Sequence, residues 1–247
     1  MRMEMLLSAI LLSLVACGQG PANDQPEGDN GEPSAANQPA EEAAEQTTEN
    51  GETADLFAPY GEVLDYTVLR KGKPFGHHTL TFSEEDGDKI VKVDAHLEVN
   101  VGPFTPFKYD HQVTERWRDG QLQSLESTTL KDGENLELSV TREGDKLMID
   151  GSAYQGEAPG DLIPSTYWNK ALVEQDQMLN TETGEIMDIT VTEEGAGSVE
   201  AAGASVEAQE YLLSSELDLY MFYEGEKWVK LKFTARDQPI EYVLEEG

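Results

Sequence analysis

Two ionisable residues on one predicted strand, His111 and Glu115, are the leading candidates for a functional site. They lie in YDHQVTERWR, where strand alternation places them on the same face as Tyr109, Val113 and Trp117. Four residues of strand span about 13 Å, so the two side chains cannot act on each other directly. A polar group on an apolar face still needs hydrogen-bonding partners. Two interpretations follow: a buried pair satisfied by its neighbours, or the polar end of a ligand pocket.

The one long segment without strand alternation, APGDLIPSTYWNKALVEQDQMLNTETGEI, predicts a short helix or a helical turn. Pro164 precedes Ser165, a suitable N-cap residue, and Trp168 and Leu172 follow at helical spacing. The helix should end before Asn180. As the one non-strand insertion of any size, it should cover the sheet or plug its mouth.

This helix would carry Tyr167, Trp168 and Asn169. Either Trp168 fills the core while Asn169 caps backbone groups, or Tyr167 and Trp168 form a lid that contacts a ligand. A helix this short is not stable without tertiary packing. We therefore expect Trp168 to be mostly buried and Tyr167 to be more exposed.

The rest of the sequence offers no catalytic or metal-binding pattern. His77 and His78 are adjacent, so a strand would direct them to opposite faces and they should not share a metal. The acidic turns lack the ligand spacing of a calcium loop, and neither a nucleophile elbow nor a glycine-rich phosphate loop occurs. Arg116 and Arg118 should point to solvent or form cross-strand pairs. We expect no cofactor, no metal and no enzymatic activity.

The only cysteine, Cys17, indicates where the protein resides. Residues 1–16 combine a short n-region containing Arg2 with an apolar run from Met5 to Val15, which is too short to span a bilayer. The run ends in Leu-Val-Ala-Cys, which resembles the bacterial lipobox and implies cleavage before a lipidated cysteine. The alternative is an ordinary export signal that is cut nearby and leaves a spare thiol.

Lipid chains on Cys17 would anchor the protein to a membrane, since each buried CH₂ contributes about 0.8 kcal/mol. The next residue is Gly18 and not the Asp that favours inner-membrane retention in Gram-negative sorting. We therefore expect a lipid-anchored protein of the bacterial cell envelope, on the periplasmic face of the outer membrane. A Gram-positive source fits the same signal.

Residues 17–57 are expected to be a lipidated cysteine followed by a disordered acidic tether. Residues 18–57 contain ten acidic residues, no Lys or Arg and few large apolar residues, so they cannot bury enough surface to fold. The chain carries a net charge of −32, of which the tether supplies −10 and the following domain −22. Phosphate groups would be repelled, which argues against nucleic acid as a partner.

Residues 58–247 predict one antiparallel β domain. In KIVKVDAHLEVNV, for example, apolar residues alternate with polar ones over the whole run, and similar patterns recur to the end of the chain. Short Asp-Gly and Glu-Gly connections follow most of them, which favours a meander of hairpins. About a dozen strands should curl into a strongly curved sheet or an open barrel, with the one helical insertion.

Four blocks, YTVLRKGKPFGHHTLTF, YDHQVTERWRDGQLQSLES, IPSTYWNKALVEQDQMLNTETGEI and WVKLKFTARDQPIEYVL, resemble the exported bacterial family called domain of unknown function 6134. The resemblance covers residues 60–244 and implies no established activity. Its pattern is also similar to curved-sheet proteins such as the bacterial lipoprotein carriers. Family members often have His-Trp where this chain has Tyr167-Trp168, so any chemistry of that histidine would be missing here.

These observations lead to a ranked set of hypotheses. The first is a non-catalytic envelope lipoprotein whose curved sheet binds an apolar or amphipathic molecule. The second is a scaffold or accessory protein that presents its surface to a protein or cell-wall partner. An enzyme ranks third. An apolar cavity would favour the first, a packed interior with an exposed apolar patch the second, and converging His, Glu and Arg residues the third.

Overall fold

The protein was described from a computed structural model, which covers residues 57–101 and 104–246. The predicted leader, Cys17 and nearly all of the predicted tether lie outside these residues. The described part consists almost entirely of strands, and none of its helices is long and apolar enough to cross a membrane. In chain order, the strands are β1 (Val63–Arg70), β2 (Lys73–Glu85), β3 (Asp88–Val101), β4 (Phe104–Arg118), β5 (Gln121–Lys131), β6 (Glu134–Glu143), β7 (Lys146–Gly151), β8 (Gln155–Pro159), β9 (Ile163–Pro164), β10 (Gln177–Leu179), β11 (Ile186–Asp188), β12 (Thr190–Ala201), β13 (Ala204–Ser214), β14 (Asp218–Glu224), β15 (Lys227–Ala235) and β16 (Gln238–Leu244).

Thirteen strands form one antiparallel sheet, in the order β12-β13-β14-β15-β16-β1-β2-β3-β4-β5-β6-β7-β8. All neighbours in it are consecutive along the chain except β16 and β1, which join the last strand to the first. The outer strands, β8 and β12, do not pair with each other, so the sheet is not closed. The predicted antiparallel meander of about a dozen strands is confirmed.

The tight connections use the predicted turn residues. Both residues have positive φ, as a type I′ hairpin requires, at Asp86-Gly87, Asp119-Gly120 and Asp132-Gly133. At the Glu143-Gly144 and Glu224-Gly225 turns, only the glycine has positive φ. These turns set the register that brings buried side chains into line on one face.

The inner face of the sheet consists of rows of side chains that run across neighbouring strands. Each row is named here by its residue on β4. The rows are the Tyr109 row (Tyr242, Val68, Gly76, Leu97, Tyr109, Lys131), the His111 row (Leu244, Tyr66, His78, Ala95, His111, Thr129), the Val113 row (Leu64, Leu80, Val93, Val113, Ser127, Leu138) and the Glu115 row (Phe82, Val91, Glu115, Leu125, Val140, Ile149).

Gly76 fits the Tyr109 row because it has no side chain. A Cβ atom at this position would overlap the carbonyl oxygen of His96 and crowd the side chain of Leu97. Glycine therefore permits the close approach of β2 and β3 at this point.

The insertion (residues 160–189) packs against this inner face. It contains a three-stranded sheet in the order β11-β10-β9, in which β9 and β10 run parallel. Its side chains join the main core, with Trp168, Leu172 and Leu179 all buried. Part of the interior of the curved sheet is thus filled by the chain itself.

The helical element in the insertion is short, as predicted, but it begins later than predicted. It is a 3₁₀ helix, Lys170–Glu174, whose N-cap is Asn169: the Asn169 side chain accepts a hydrogen bond from the N–H of Ala171 at 3.1 Å. The predicted N-cap, Ser165, instead accepts the N–H of Thr181 at 3.1 Å. The expected capping role of Asn169 is confirmed. The predicted capping role of Ser165 was wrong, because its hydroxyl accepts a hydrogen bond from the turn that follows β10.

The outer face carries the predicted cross-strand ion pairs. Arg118 bonds Asp88 at 2.5 Å through Nε, and Arg116 bonds the same carboxylate at 3.0 Å. The two guanidinium groups hold the pKa of Asp88 below its usual range.

Candidate functional site

Glu115 is fully buried and receives three hydrogen bonds from uncharged groups. Thr166 donates to Oε1 at 2.7 Å, while the indole N–H groups of Trp117 and Trp168 donate to Oε2 at 2.8 Å and 2.9 Å. None of these partners is a cation. Burial therefore dominates and raises the pKa of Glu115, although the three donors partly oppose it.

His111 is also satisfied by uncharged groups. Its Nδ1 lies 2.8 Å from the Thr129 hydroxyl and its Nε2 lies 3.1 Å from the Thr181 hydroxyl. Burial lowers the pKa of His111 to about 4, so the ring is neutral at pH 7. Ser127 adds a second contact between the sheet and the same residue of the insertion, because its hydroxyl donates to the Thr181 carbonyl at 2.6 Å.

His111 and Glu115 thus occupy separate positions, with the Val113 row between them. Each binds the insertion: Glu115 through Thr166 and Trp168, and His111 through Thr181. Their surroundings match the expected buried, satisfied groups. Their assignment to ligand binding stays a prediction. In this conformation the insertion covers Glu115, so a ligand could affect Glu115 only by way of Thr166 or Trp168.

Trp168 is 1% exposed, which confirms its predicted burial. Its ring lies edge-on to four aromatic rings, with centroid distances of 5.5–5.8 Å to Phe57, Tyr60, Phe82 and Trp117. Edge-to-face pairs of this kind stabilise a core beyond the area they bury. Trp168 therefore packs as a plug in the interior.

Tyr167 is half-buried, and more exposed than Trp168 as predicted. Its φ of 63° is uncommon for a residue other than glycine. The hydroxyl of Tyr223 holds this backbone by donating to the Tyr167 carbonyl at 2.7 Å. The Tyr167 ring lies 5.8 Å from that of Trp228, on the interior side of β15.

A cluster of half-buried aromatic residues lies at the end of the inner face where the Tyr109 row is found. We call it the aromatic mouth. It packs on the buried residues Val68, Leu97 and Ile240. Its members come from β15, β16, β2 and β4, and are Phe75, Phe107, Tyr109, Phe233 and Tyr242.

The sequence pattern predicts strands at Phe107, Tyr109, Phe233 and Tyr242, but it does not indicate that these residues lie together with Phe75. Phe75 is far in sequence from Phe233 and Tyr242, which lie on the β15–β16 hairpin, and the pairing of β1 with β16 places that hairpin on the same sheet next to β1 and β2. A strand register that joins the chain ends was the missing information. Alternation along single strands could not supply it.

Polar groups lie at the inner side of the aromatic mouth. Glu182, in the insertion, accepts a hydrogen bond from the Tyr109 hydroxyl at 3.0 Å and forms an ion pair with Lys131 at 3.0 Å. Burial, together with the charge of Glu182, raises the pKa values of Tyr109 and Tyr167. All these phenols are therefore neutral hydrogen-bonding groups at physiological pH.

His78 lies directly behind the aromatic mouth. Its ring centroid is 5.3 Å from that of Tyr242, 5.8 Å from Trp228 and 6.2 Å from Tyr66. Burial lowers the pKa of His78 to about 3. As predicted, the adjacent His77 points the other way: it is exposed and lies 3.4 Å from Asp94.

A groove of about 530 Å³ lies at the opposite end of β4, beside Trp117. Arg142 crosses it and donates to the carbonyl oxygens of Leu122, at 2.6 Å, and Gly160. Asp145 and Asp161 line the same groove. The Arg142 guanidinium is therefore engaged with backbone carbonyl groups, and the negative charges of Asp145 and Asp161 oppose the binding of an anion in the groove.

The structure contains no grouping of three or more His, Cys, Asp or Glu side chains suited to a metal ion within residues 57–101 and 104–246. The convergence of His, Glu and Arg residues that would indicate catalysis is likewise not seen in that range. Each candidate has a different partner within the protein: Trp168 for Glu115, Thr181 for His111, and the Leu122 carbonyl for Arg142.

Comparisons with known proteins agree with this architecture. A crystal structure of a β-barrel-like protein from Brucella abortus, a domain of unknown function DUF1849, superposes with a TM-score of 0.52 at 12% identity. The match covers 74% of this chain and 93% of that one, so the two share a fold. No curated protein matches the sequence. The family described as domain of unknown function DUF6134 matches residues 66–245, and the chain belongs to that family.

Proposed function

We propose that this protein is a membrane-anchored envelope lipoprotein that binds an amphipathic molecule at the aromatic mouth, without catalysis. The observation that carries the proposal is the set of five half-buried aromatic side chains that pack on one apolar cluster at the end of the curved sheet. Ligand sites are typically apolar walls with a few placed polar groups. The aromatic mouth has this composition, with Tyr109 and Glu182 on its inner side.

The position of the insertion limits where a ligand could bind. Trp168 and its aromatic neighbours fill the end of the sheet where the Glu115 row lies. The aromatic mouth lies at the other end, where the rings pack on Val68, Leu97 and Ile240 and remain partly exposed. A ligand would therefore lie against this end and extend outwards from it.

The membrane anchor in this proposal is Cys17, by its match to the lipobox. A lipid-anchored protein with an apolar site works at a surface where amphipathic molecules are concentrated. The chain's net charge of −32 would oppose the binding of the protein to an anionic lipid surface. Such a protein could hold or pass on a single molecule without inserting into the bilayer.

Binding of a fluorescent apolar probe tests the proposal. The full chain carrying Cys17→Ser, which lacks the acceptor for its own lipid, is titrated with N-phenyl-1-naphthylamine. We expect saturable binding that Phe107→Asp weakens at least about tenfold, since a buried charge is strongly disfavoured in an apolar site. Tyr220→Asp is the matched control, because Tyr220 is 37% exposed and points away from the buried face of β14.

A chain that folds but binds no probe would refute the proposal, as would equal losses in the two variants. In that case a second candidate gains weight, a scaffold that binds a protein. The observation favouring it is the edge strand β12, twelve residues that pair on one side only and are mostly exposed. Backbone groups on such an edge can accept an added strand from a partner.

A further inference from the structure

Among the buried side-chain nitrogen and oxygen atoms that the structure describes, only Nε2 of His78 lacks a hydrogen-bond partner. His78 is 7% exposed. An unsatisfied buried polar atom is destabilising, and exceptions of this kind in folded proteins often have a functional explanation. The three aromatic rings around His78 offer it no acceptor or donor at hydrogen-bonding distance.

Tyr242 is the member of the aromatic mouth that packs against His78. Tyr242 packs against His78 on one side and against Phe233 on the other. It is half-buried, and its row lies immediately outside that of His78. Rotation of the Tyr242 ring would therefore connect the free nitrogen to the mouth.

The groups around His78 are uncharged or compensated. Glu182 is paired with Lys131 at 3.0 Å, and burial raises the pKa of Tyr242 while lowering that of His78. The nearest cation on β1, Arg70, is four residues from Tyr66, or about 13 Å along the strand. An anionic head group placed beside His78 would thus be buried without a partner.

We propose that Nε2 of His78 hydrogen-bonds the hydroxyl group of an uncharged single-chain amphipath whose hydrocarbon chain lies along the aromatic mouth. A hydroxyl suits this position because it can donate or accept, whichever nitrogen of the neutral ring carries the proton. Long-chain alcohols and monoacylglycerols share this chemistry. The inference rests on the proposed function, since it names the ligand class for the same site.

Competition against N-phenyl-1-naphthylamine tests the inference in the full chain carrying Cys17→Ser. The competitors are oleyl alcohol, monoolein, oleate and 1-octadecene, which differ in head group. We expect both hydroxyl compounds to bind about three- to tenfold more tightly than octadecene, the range that one neutral hydrogen bond supplies. A preference for monoolein would assign the ligand to glycerides, and a preference for oleyl alcohol to free alcohols.

Two variants locate the contact. His78→Phe should bring the hydroxyl compounds to the affinity of octadecene. His77→Phe should leave their advantage intact, because His77 lies on the opposite face of the same strand. Retention of the advantage in a folded His78→Phe chain would overturn the inference, and so would tighter binding of oleate than of oleyl alcohol.

A measurement on the unsubstituted His78 ring covers the case in which His78→Phe does not fold. In the ¹⁵N-histidine-labelled chain, the His78 Nε2 resonance should shift with oleyl alcohol and stay in place with octadecene. An unchanged resonance at saturating alcohol would overturn the inference while leaving the proposed function standing. If no probe binds at all, the proposed function itself fails.

Discussion

Glu115→Ala should be among the most destabilising single substitutions in this domain. It removes the one acceptor shared by three buried donors, the indoles of Trp117 and Trp168 and the hydroxyl of Thr166. The hydroxyl can rotate to another acceptor, but the two indole N–H groups cannot. An unsatisfied buried donor costs about 1–3 kcal/mol, so the pair gives about 2–6 kcal/mol.

Part of this loss is offset because the substitution also removes a buried charge. The raised pKa of Glu115 shows that burial outweighs the three hydrogen bonds for the ionised form. We therefore expect Glu115→Ala to lower the free energy of unfolding by about 3 kcal/mol at pH 7, in the lower half of the donor range. Domains of this size are typically stable by only about 5–15 kcal/mol.

Glu115→Gln separates the charge from the hydrogen bonds. The amide oxygen can accept from both indoles and the amide nitrogen can donate to the Thr166 hydroxyl, so all three contacts persist. Because folding raises the pKa of Glu115 above its ordinary 4.5, its stabilising contribution is complete below that pH and is lost as pH rises through the folded value. The Gln variant should equal the parent near pH 4.5 and exceed it increasingly at higher pH.

Urea unfolding at several pH values between 5 and 8.5, followed by tryptophan fluorescence and circular dichroism, gives the required free energies. The Gln advantage should grow by about 1.4 kcal/mol per pH unit until the folded pKa is passed, and then level off. A Gln variant that is less stable than the parent by a constant amount across this range would refute the reasoning. It would mean that the charged hydrogen bonds outweigh the burial of Glu115.

Further predictions concern other parts of the chain. Trp168→Ala should destabilise the domain by at least about 2 kcal/mol, toward the 3–5 kcal/mol typical of a core Trp, with Tyr167→Ala much milder; urea midpoints in the reverse order would contradict this orientation. Radioactive palmitate should label the parent chain and not Cys17→Ser, whereas equal labelling would exclude lipidation there. Deleting residues 18–54 should leave the melting temperature unchanged at matched salt. Deleting Phe57 as well should lower it, because Phe57 packs against Trp168 at 5.6 Å.

The strand pattern made the meander predictable, because its turns carry Asp-Gly pairs and its strands bury every second residue. The inner positions of β3 and β4 are those that alternation indicates: Val91, Val93, Val113 and Trp117 are all buried. The pairing of β16 with β1 could not be inferred in the same way. It joins residues separated by nearly the whole domain, and periodicity along one strand carries no information about such a partner.

The candidate site was predictable only in part. The burial of Trp168 followed from the short insertion, which had to pack its apolar side on the sheet. The partners of Glu115 did not follow, because two indoles and a hydroxyl meet its carboxylate only once the insertion has folded onto β4. The strands β9 and β10 were missed because each is only two or three residues long and lies within a segment that lacks alternation.

The pairing of β1 with β16 has a consequence for how the protein is made. Tyr66 lies opposite Leu244, so this central pairing of the large sheet cannot form until β16 has been synthesised. Contacts between such distant residues carry a large loop-closure entropy and slow the folding of β proteins to milliseconds or seconds. The hairpins of the meander can form earlier, but the pairing that joins its two halves must form late. The order of the strands thus delays completion of the sheet until the whole domain has been synthesised.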